Sequence, residues 1–334
     1  MIVLAAVAAA ACAAEAPRFD AAVKAAARLP RLHSLLVSRH GELILERYFH
    51  GTGAASHQNV KSASKSLISA LVGVAIDKGL IAGVRAPIAQ YFPELNGPKA
   101  DAVKRKITIE DLLTMRSGLE STSRWNYGAW VGSPDWVKFA LTRRVVASPG
   151  EQMDYSTGNT HLLSAILTKA THKDTWAFAQ EVLAKPLGIT LAQWPRDPQG
   201  IYFGGNDMLL TPRQMLAFGE TYLHHGKALG KQVVPAAWVD TSFIPRTQSR
   251  FSGRYYGYGW WMDELAGQQT YYAWGFGGQY IFIVPALDLV VVTTSSVALG
   301  DDRHEHRSAV HELVERDVIG AIAEQRADVP VRAD

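Results

Sequence analysis

Two blocks of strand-forming sequence, at opposite ends of the chain, constrain its fold most. Near the start, residues 33–39 and 42–49 are β-rich runs on either side of His40-Gly41, a hairpin pattern. Near the end, residues 256–262, 269–274, 280–284 and 287–295 form a second block, with Pro285-Ala286-Leu287-Asp288 turning the last two into another hairpin. Between the blocks, from Lys61 to about His225, the apolar spacing is helical and is punctuated at Pro87, Pro93, Pro98, Gly118, Pro149-Gly150 and Pro186. A final helix is expected over about residues 307–324. Short hairpins make a sheet antiparallel. The expected fold is therefore α/β, in layers: one antiparallel sheet built from both termini and flanked by helices, with a mainly helical lobe inserted. Residues 15–334 are expected to form a single catalytic domain, with a sheet lobe over about 30–60 plus 245–334 and a helical lobe over about 61–244. A site belongs in the cleft between such lobes.

Composition narrows the partners. The 334 residues are 48% hydrophobic, enough for a large core, and the formal charge is only +3 with no basic block, which argues against nucleic acid. Residues 1–14 are apolar but too short to span a bilayer. They read as a secretory signal with Ala11-Cys12-Ala13 as a small-x-small cleavage site, which predicts export to the periplasm and no membrane span in the mature chain. No positive segment precedes them, which points to a true start upstream. A lipid anchor at Cys12 ranks lower, because Ala9 stands where a leucine is expected. Cys12 is the sole cysteine, so a mature chain would lack disulfides, thiol catalysis and Cys-ligated metal.

Three stations carry chemistry. Ser62-Ala63-Ser64-Lys65 opens a long apolar helical run, and positions i and i+3 share a helix face. A lysine desolvated there favours its neutral form and can take a proton from serine; the bland alternative is an exposed first turn with a solvated Lys65. The second station, Tyr155-Ser156-Thr157-Gly158-Asn159, follows Pro149-Gly150 and precedes another apolar helix. Tyr155 could relay protons beside Lys65, or could be a core tyrosine. The third, Trp274-Gly275-Phe276-Gly277-Gly278-Gln279-Tyr280, enters a strand, where glycines permit close approach to a ligand. An N–H on that edge could join the Ser62 N–H as an oxyanion hole, or the segment could be a plain turn. No Gly-x-Ser-x-Gly elbow and no His-Glu-x-x-His motif is present. His304, His306 and His311 read as a solvated helix face rather than a metal site, so no metal and no cofactor is expected.

In order and spacing the three stations resemble the serine β-lactamase and penicillin-binding-protein superfamily. Residues 107–119, Gly204-Gly205-Asn206-Asp207-Met208 with Leu210-Thr211-Pro212-Arg213, and Tyr256-Gly257-Tyr258-Gly259-Trp260 are similar to segments of its class C branch, and the likeness spans roughly residues 30–325. The resemblance implies that Ser62 is the acylated nucleophile, Lys65 its base partner and Tyr155 the catalytic tyrosine. Gly275-Phe276-Gly277 falls where the family carries Lys-Thr-Gly or His-Thr-Gly, which implies Gly278, or Gln279 after a one-residue slip, as the second oxyanion donor on an edge that includes Gly277. Two departures matter. Gly275 and Phe276 replace the cation and the hydroxyl that hold a carboxylate in the family, and the second station reads Tyr-Ser-Thr rather than Tyr-x-Asn. Both point away from β-lactamase or D-Ala-D-Ala peptidase activity and toward the esterase and amidase members, including those resembling 6-aminohexanoate-dimer hydrolases. Trp125 or Tyr127 is expected to line an acyl pocket, with Thr157, Asn159 and Phe276 as further pocket candidates. The expected partner is a small ester or amide, and the expected state a monomer. A reading of another class is a sensor that traps an acyl ligand without turning it over.

Overall fold

A computed structural model describes residues 19–327. The expected signal segment and Cys12 lie outside the described residues. Eight strands form the main sheet: β1 (Leu32–Arg39), β2 (Glu42–Tyr48), β3 (Thr247–Gln248), β4 (Tyr255–Tyr256), β5 (Trp261–Leu265), β6 (Gln268–Gly275), β7 (Gln279–Val284) and β8 (Leu289–Ser295). Their spatial order is β2-β1-β8-β7-β6-β5-β4-β3, and every neighbouring pair is antiparallel. The two ends of the chain meet at its centre, where Val37 pairs with Val291 and Leu36 with Val292.

Side-chain alternation explains the layers. Leu35, Val37, Phe282, Val284, Leu289 and Val291 face one way, where they are covered by α1 (Asp20–Ala27) and by Val310, Val314 and Val318 of the terminal helix. Leu36, Ile281, Ile283, Val290 and Val292 face the other way, against Met215, Phe218 and Tyr222 of the helical lobe. Each fully buried Val, Leu or Ile contributes about 1.5–3 kcal/mol, so a charge at Val291 would unseat the central pair. The His40-Gly41 turn has positive φ at both residues (54° and 73°), the twist that a two-residue hairpin prefers.

In the helical lobe, α2 (Ser64–Asp77), α3 (Thr157–Thr171) and α4 (Pro212–Leu223) are the long helices. A short ladder of Gln58–Asn59 with Leu209–Leu210 ties the approach to α2 to the 204–210 segment. The terminal helix starts earlier than its apolar pattern suggests: α5 (Arg303–Glu312) continues through Leu313–Gly320 to Ala327. The strand expected over 256–262 is broken into β4 and β5. Gly257 leaves no room for a Cβ beside the Ser242 carbonyl (2.2 Å), and Gly259, at φ +83°, sits 2.9 Å from the Lys65 carbonyl by the same measure. Packing against α2 lifts this segment out of the sheet, a long-range effect that local strand propensity does not report.

Candidate active site

Lys61 adopts φ 48°, and Ser62 sits in a tight turn that leads into α2. From Ser64 to Ala75 every residue of α2 is buried, so this helix runs through the core rather than over it. Lys65 is 2% exposed. Its Nζ lies 3.2 Å from Ser62 Oγ, 3.1 Å from Thr157 Oγ1 and 2.7 Å from the Gly205 carbonyl oxygen. Burial lowers its pKa to about 7, against an opposing pull from the Asp207 carboxylate. Asp207 is itself engaged by Lys61 at 2.7 Å and by Asn59 at 2.8 Å.

Tyr155 is held from both sides. Ser121 Oγ donates to its carbonyl at 2.6 Å, and the Asp154 N–H before it donates to the Met115 carbonyl at 2.9 Å. Its ring stacks on Trp261 (5.7 Å), meets Tyr256 edge-on (6.2 Å) and lies 5.0 Å from Lys65 Nζ. Burial pushes the phenol well above its ordinary range, while hydrogen bonding with Ser62 pulls it down. The phenol is therefore protonated at neutral pH and placed to give and regain a proton.

The third station is the β6–β7 hairpin. A Cβ on Gly275 would lie 2.1 Å from the Val60 carbonyl oxygen, so only glycine lets this strand end touch the chain entering Ser62. The Gly278 N–H turns back to the Gly275 carbonyl at 3.4 Å. Gln279 pairs with Gly275 in the ladder, and its side chain is buried away from Ser62, bonded to the Ser295 backbone at 2.7 and 3.1 Å. The register expected to place the oxyanion donor at Gly278 or Gln279 therefore needs correction. Phe276 lines the space beside Ser62, and among the described residues no backbone carbonyl accepts its N–H.

Two cavities meet at Ser62, Tyr155 and Phe276. One, of about 320 Å³, is walled by Trp261, Trp274 and Phe251 and reaches Arg303 and Arg307. The other, of about 540 Å³, is bounded by Lys61, Ser123, Tyr127, Thr157, Asn206 and Leu299. Tyr127 lies in this second cavity, and its hydroxyl accepts from Asn206 Nδ2 at 2.8 Å. Trp125 lines neither cavity and is 81% exposed, which removes the reason for placing it in a pocket. Thr157 bridges Lys65 and Ser123 Oγ (2.8 Å). Asn159 is buried behind the site, where its Oδ1 accepts from Ser117 at 3.0 Å. Gly277 borders the first cavity.

Sequence reasoning did not single out the Gly205 carbonyl, Asn206 or Ser123. The first two lie in the 204–208 segment already noted for its resemblance, so the signal was present without its role. That segment is pinned by a buried pair: His161 Nε2 lies 3.0 Å from Asp197 Oδ2, and the Gly204 N–H donates to His161 Nδ1 at 3.3 Å. The solvated histidine face expected on α5 is also corrected. His306 is buried against Ser295 Oγ (3.0 Å), with burial lowering its pKa to about 4, and His311 packs against Tyr272 and Phe282. Among the described residues no group of three metal-binding side chains converges, and no helix is long and apolar enough to cross a membrane.

Comparison with known proteins follows the same lines. The Beta-lactamase family profile matches residues 31–315. A 6-aminohexanoate-dimer hydrolase from Paenarthrobacter ureafaciens is 28% identical over 302 residues, spanning 82% of this chain and 74% of that protein. Among solved structures, a putative 6-aminohexanoate-dimer hydrolase from Bacillus anthracis superposes with a TM-score of 0.70 at 20% identity, covering 86% of this chain and 79% of its own. A class C β-lactamase from Rhodobacter sphaeroides superposes with a TM-score of 0.65 at 18% identity, covering 87% and 98%. With its eight-stranded antiparallel sheet, its helical lobe and a profile match over most of its length, this chain belongs to the Beta-lactamase family.

Proposed function

We propose that this chain is a serine hydrolase that cleaves esters or linear amides through an acyl-enzyme on Ser62. The observation that carries the reading is the buried Lys65 amine, 3.2 Å from Ser62 Oγ, with a pKa lowered to about 7. In the neutral amine, two N–H groups suffice for the Gly205 carbonyl and Thr157 Oγ1, and the remaining lone pair faces Ser62. The Ser62 proton moves to Lys65 as Oγ bonds to the substrate carbonyl carbon. The developing oxyanion is stabilised by the N–H of Ser62, one of the donors that a helix start leaves free, and by the N–H of Phe276 across the Gly275–Val60 contact. Tyr155, neutral because burial raises its pKa, gives its proton to the leaving alkoxide or amine and regains one from Lys65. In the second half, water loses a proton through Tyr155 and attacks the acyl carbon, and Ser62 Oγ leaves with a proton from Lys65.

The two cavities suit this sequence, since each shares Ser62 and Tyr155 and together they can house the acyl and leaving groups on opposite sides. The names of the relatives, which include a D-stereospecific amidohydrolase from Streptomyces, support esters and amides as the substrate class. Parallel turnover of 4-nitrophenyl butyrate, the linear 6-aminohexanoate dimer and a chromogenic cephalosporin tests the reading. Turnover of the ester or the linear amide that disappears in Ser62→Ala is expected; equal turnover by that variant would refute the scheme.

A further inference from the structure

Charge is distributed unequally between the two cavities. In the larger one, Lys61 is neutralised by Asp207 at 2.7 Å. The smaller one contains Arg303, His304 and Arg307 and no Asp or Glu. Arg303 and Arg307 stand four residues apart on α5 and so share a face, an arrangement that repels when both are cations. Among the described residues neither forms an ion pair. Arg303 donates to the Gly300 carbonyl at 3.0 Å, and Arg307 lies over the Trp274 ring at 5.4 Å. The nearby carboxylates are committed elsewhere, Asp302 to Arg31 (2.6 Å) and Asp263 to Arg254 (2.9 Å). Between these arginines and Ser62 the walls are aromatic: Trp261, Trp274, Phe251 and Phe276. An apolar channel with a reactive hydroxyl at one end and two unpaired guanidinium groups at the other matches a chain with a scissile carbonyl at one end and an anion at the other.

We propose that Arg303 and Arg307 form a carboxylate subsite, so that the preferred substrates are esters or amides whose chain ends in a carboxylate. The proposal rests on the Ser62 hydrolase reading. Guanidinium groups bind carboxylates through paired, charge-assisted N–H···O bonds, and Trp274 orients Arg307 for this. The cavity's 320 Å³ corresponds to about ten water volumes, room for about ten non-hydrogen atoms. A six-carbon acid fits that length. The subsite would supply from α5 the positive charge that Gly275 and Phe276 do not.

The test has a turnover arm and a binding arm. For turnover, kcat/KM of mono-4-nitrophenyl adipate is compared with that of 4-nitrophenyl hexanoate, and the butyrate ester of 4-hydroxyphenylacetate with that of 4-cresol. The first pair carries the carboxylate on the acyl side and the second on the leaving-group side. The expected result is a preference of about tenfold or more for the carboxylate in one pair, lost in Arg303→Gln/Arg307→Gln, largely kept in Arg307→Lys, and reduced by high salt. Circular dichroism establishes that each variant is folded. For binding, calorimetry on Ser62→Ala compares monomethyl adipate with dimethyl adipate, and tighter binding of the monoester is expected. A ratio near one in both pairs, or a preference that survives the double variant, would overturn the proposal while Ser62-dependent ester turnover still stood. Tight monoester binding without Ser62-dependent turnover would instead sink the hydrolase reading and leave the subsite in place.

Discussion

A lysine that serves as a base near neutral pH leaves a signature in both rate and stability. With the Lys65 pKa lowered to about 7, roughly a tenth of the amine is neutral at pH 6 and roughly nine-tenths at pH 8. Ester kcat/KM is expected to rise close to tenfold per unit below pH 6.5 and to level off above pH 8. Asp207→Asn removes the charge that holds the pKa up, so the rising limb moves to lower pH. Lys65→Arg fixes a cation at that position and should cost about 10²–10⁴ in kcat at every pH, the usual contribution of a positioned base. The same shift predicts stability. The unfolded lysine binds its proton below about 10.4, whereas the folded one binds it only below about 7. Between these values the unfolded chain holds more protons, so stability rises with pH. Relative to Lys65→Met, the parent should lose up to roughly 5 kcal/mol as pH falls from 10.5 to 7. Stopped-flow ester hydrolysis and urea denaturation across pH 5–10.5 read both effects. A rate still climbing at pH 10, with parent and Lys65→Met curves parallel, would mean that Lys65 titrates as a solvated amine, and the mechanism would fail.

Further expectations rest on close packing. Gly275→Ala forces a methyl to 2.1 Å from the Val60 carbonyl oxygen, moving Phe276 N–H off Ser62; a kcat loss of about 10²-fold or more is expected in ester assays, with KM changed much less. Gly205→Ala places a methyl 2.3 Å from Thr160 Oγ1 and 2.8 Å from Lys65 Cγ at φ +79°, and should cost about 2–5 kcal/mol in denaturant titrations as well as activity. His161→Ala orphans the buried Asp197 carboxylate and the Gly204 N–H, with an expected cost of about 3–5 kcal/mol by the same measurement.

Much of the fold was legible because its signals are local. Period-two runs such as Leu35-Leu36-Val37 divide cleanly between two cores, and Gly41 and the 285–288 turn mark where the strands reverse. The Ser62–Lys65 spacing, too, is a local property of a helical turn. What was not legible depends on distant segments meeting. The break at Gly257 and Gly259 exists because α2 and Ser242 occupy the space a strand would need. The donor at Phe276 follows from how deeply Gly275 seats against Val60, and no count of residues along the chain reveals that depth. Trp125 and Tyr127 are two residues apart with similar composition around them, yet one faces solvent and the other a cavity floor. The cationic end of the smaller cavity appears only once α5 folds back beside β6, bringing Arg307 to Trp274.

The central claim is a covalent acyl-enzyme on Ser62. Rapid acid quench of the protein during turnover of 4-nitrophenyl butyrate, followed by intact-mass and peptide mass spectrometry, tests it directly. A butyryl adduct confined to the peptide that contains Ser62, transient in the parent and missing from Ser62→Ala, is the predicted result. Undiminished turnover by Ser62→Ala, or an adduct on a different residue, would contradict it.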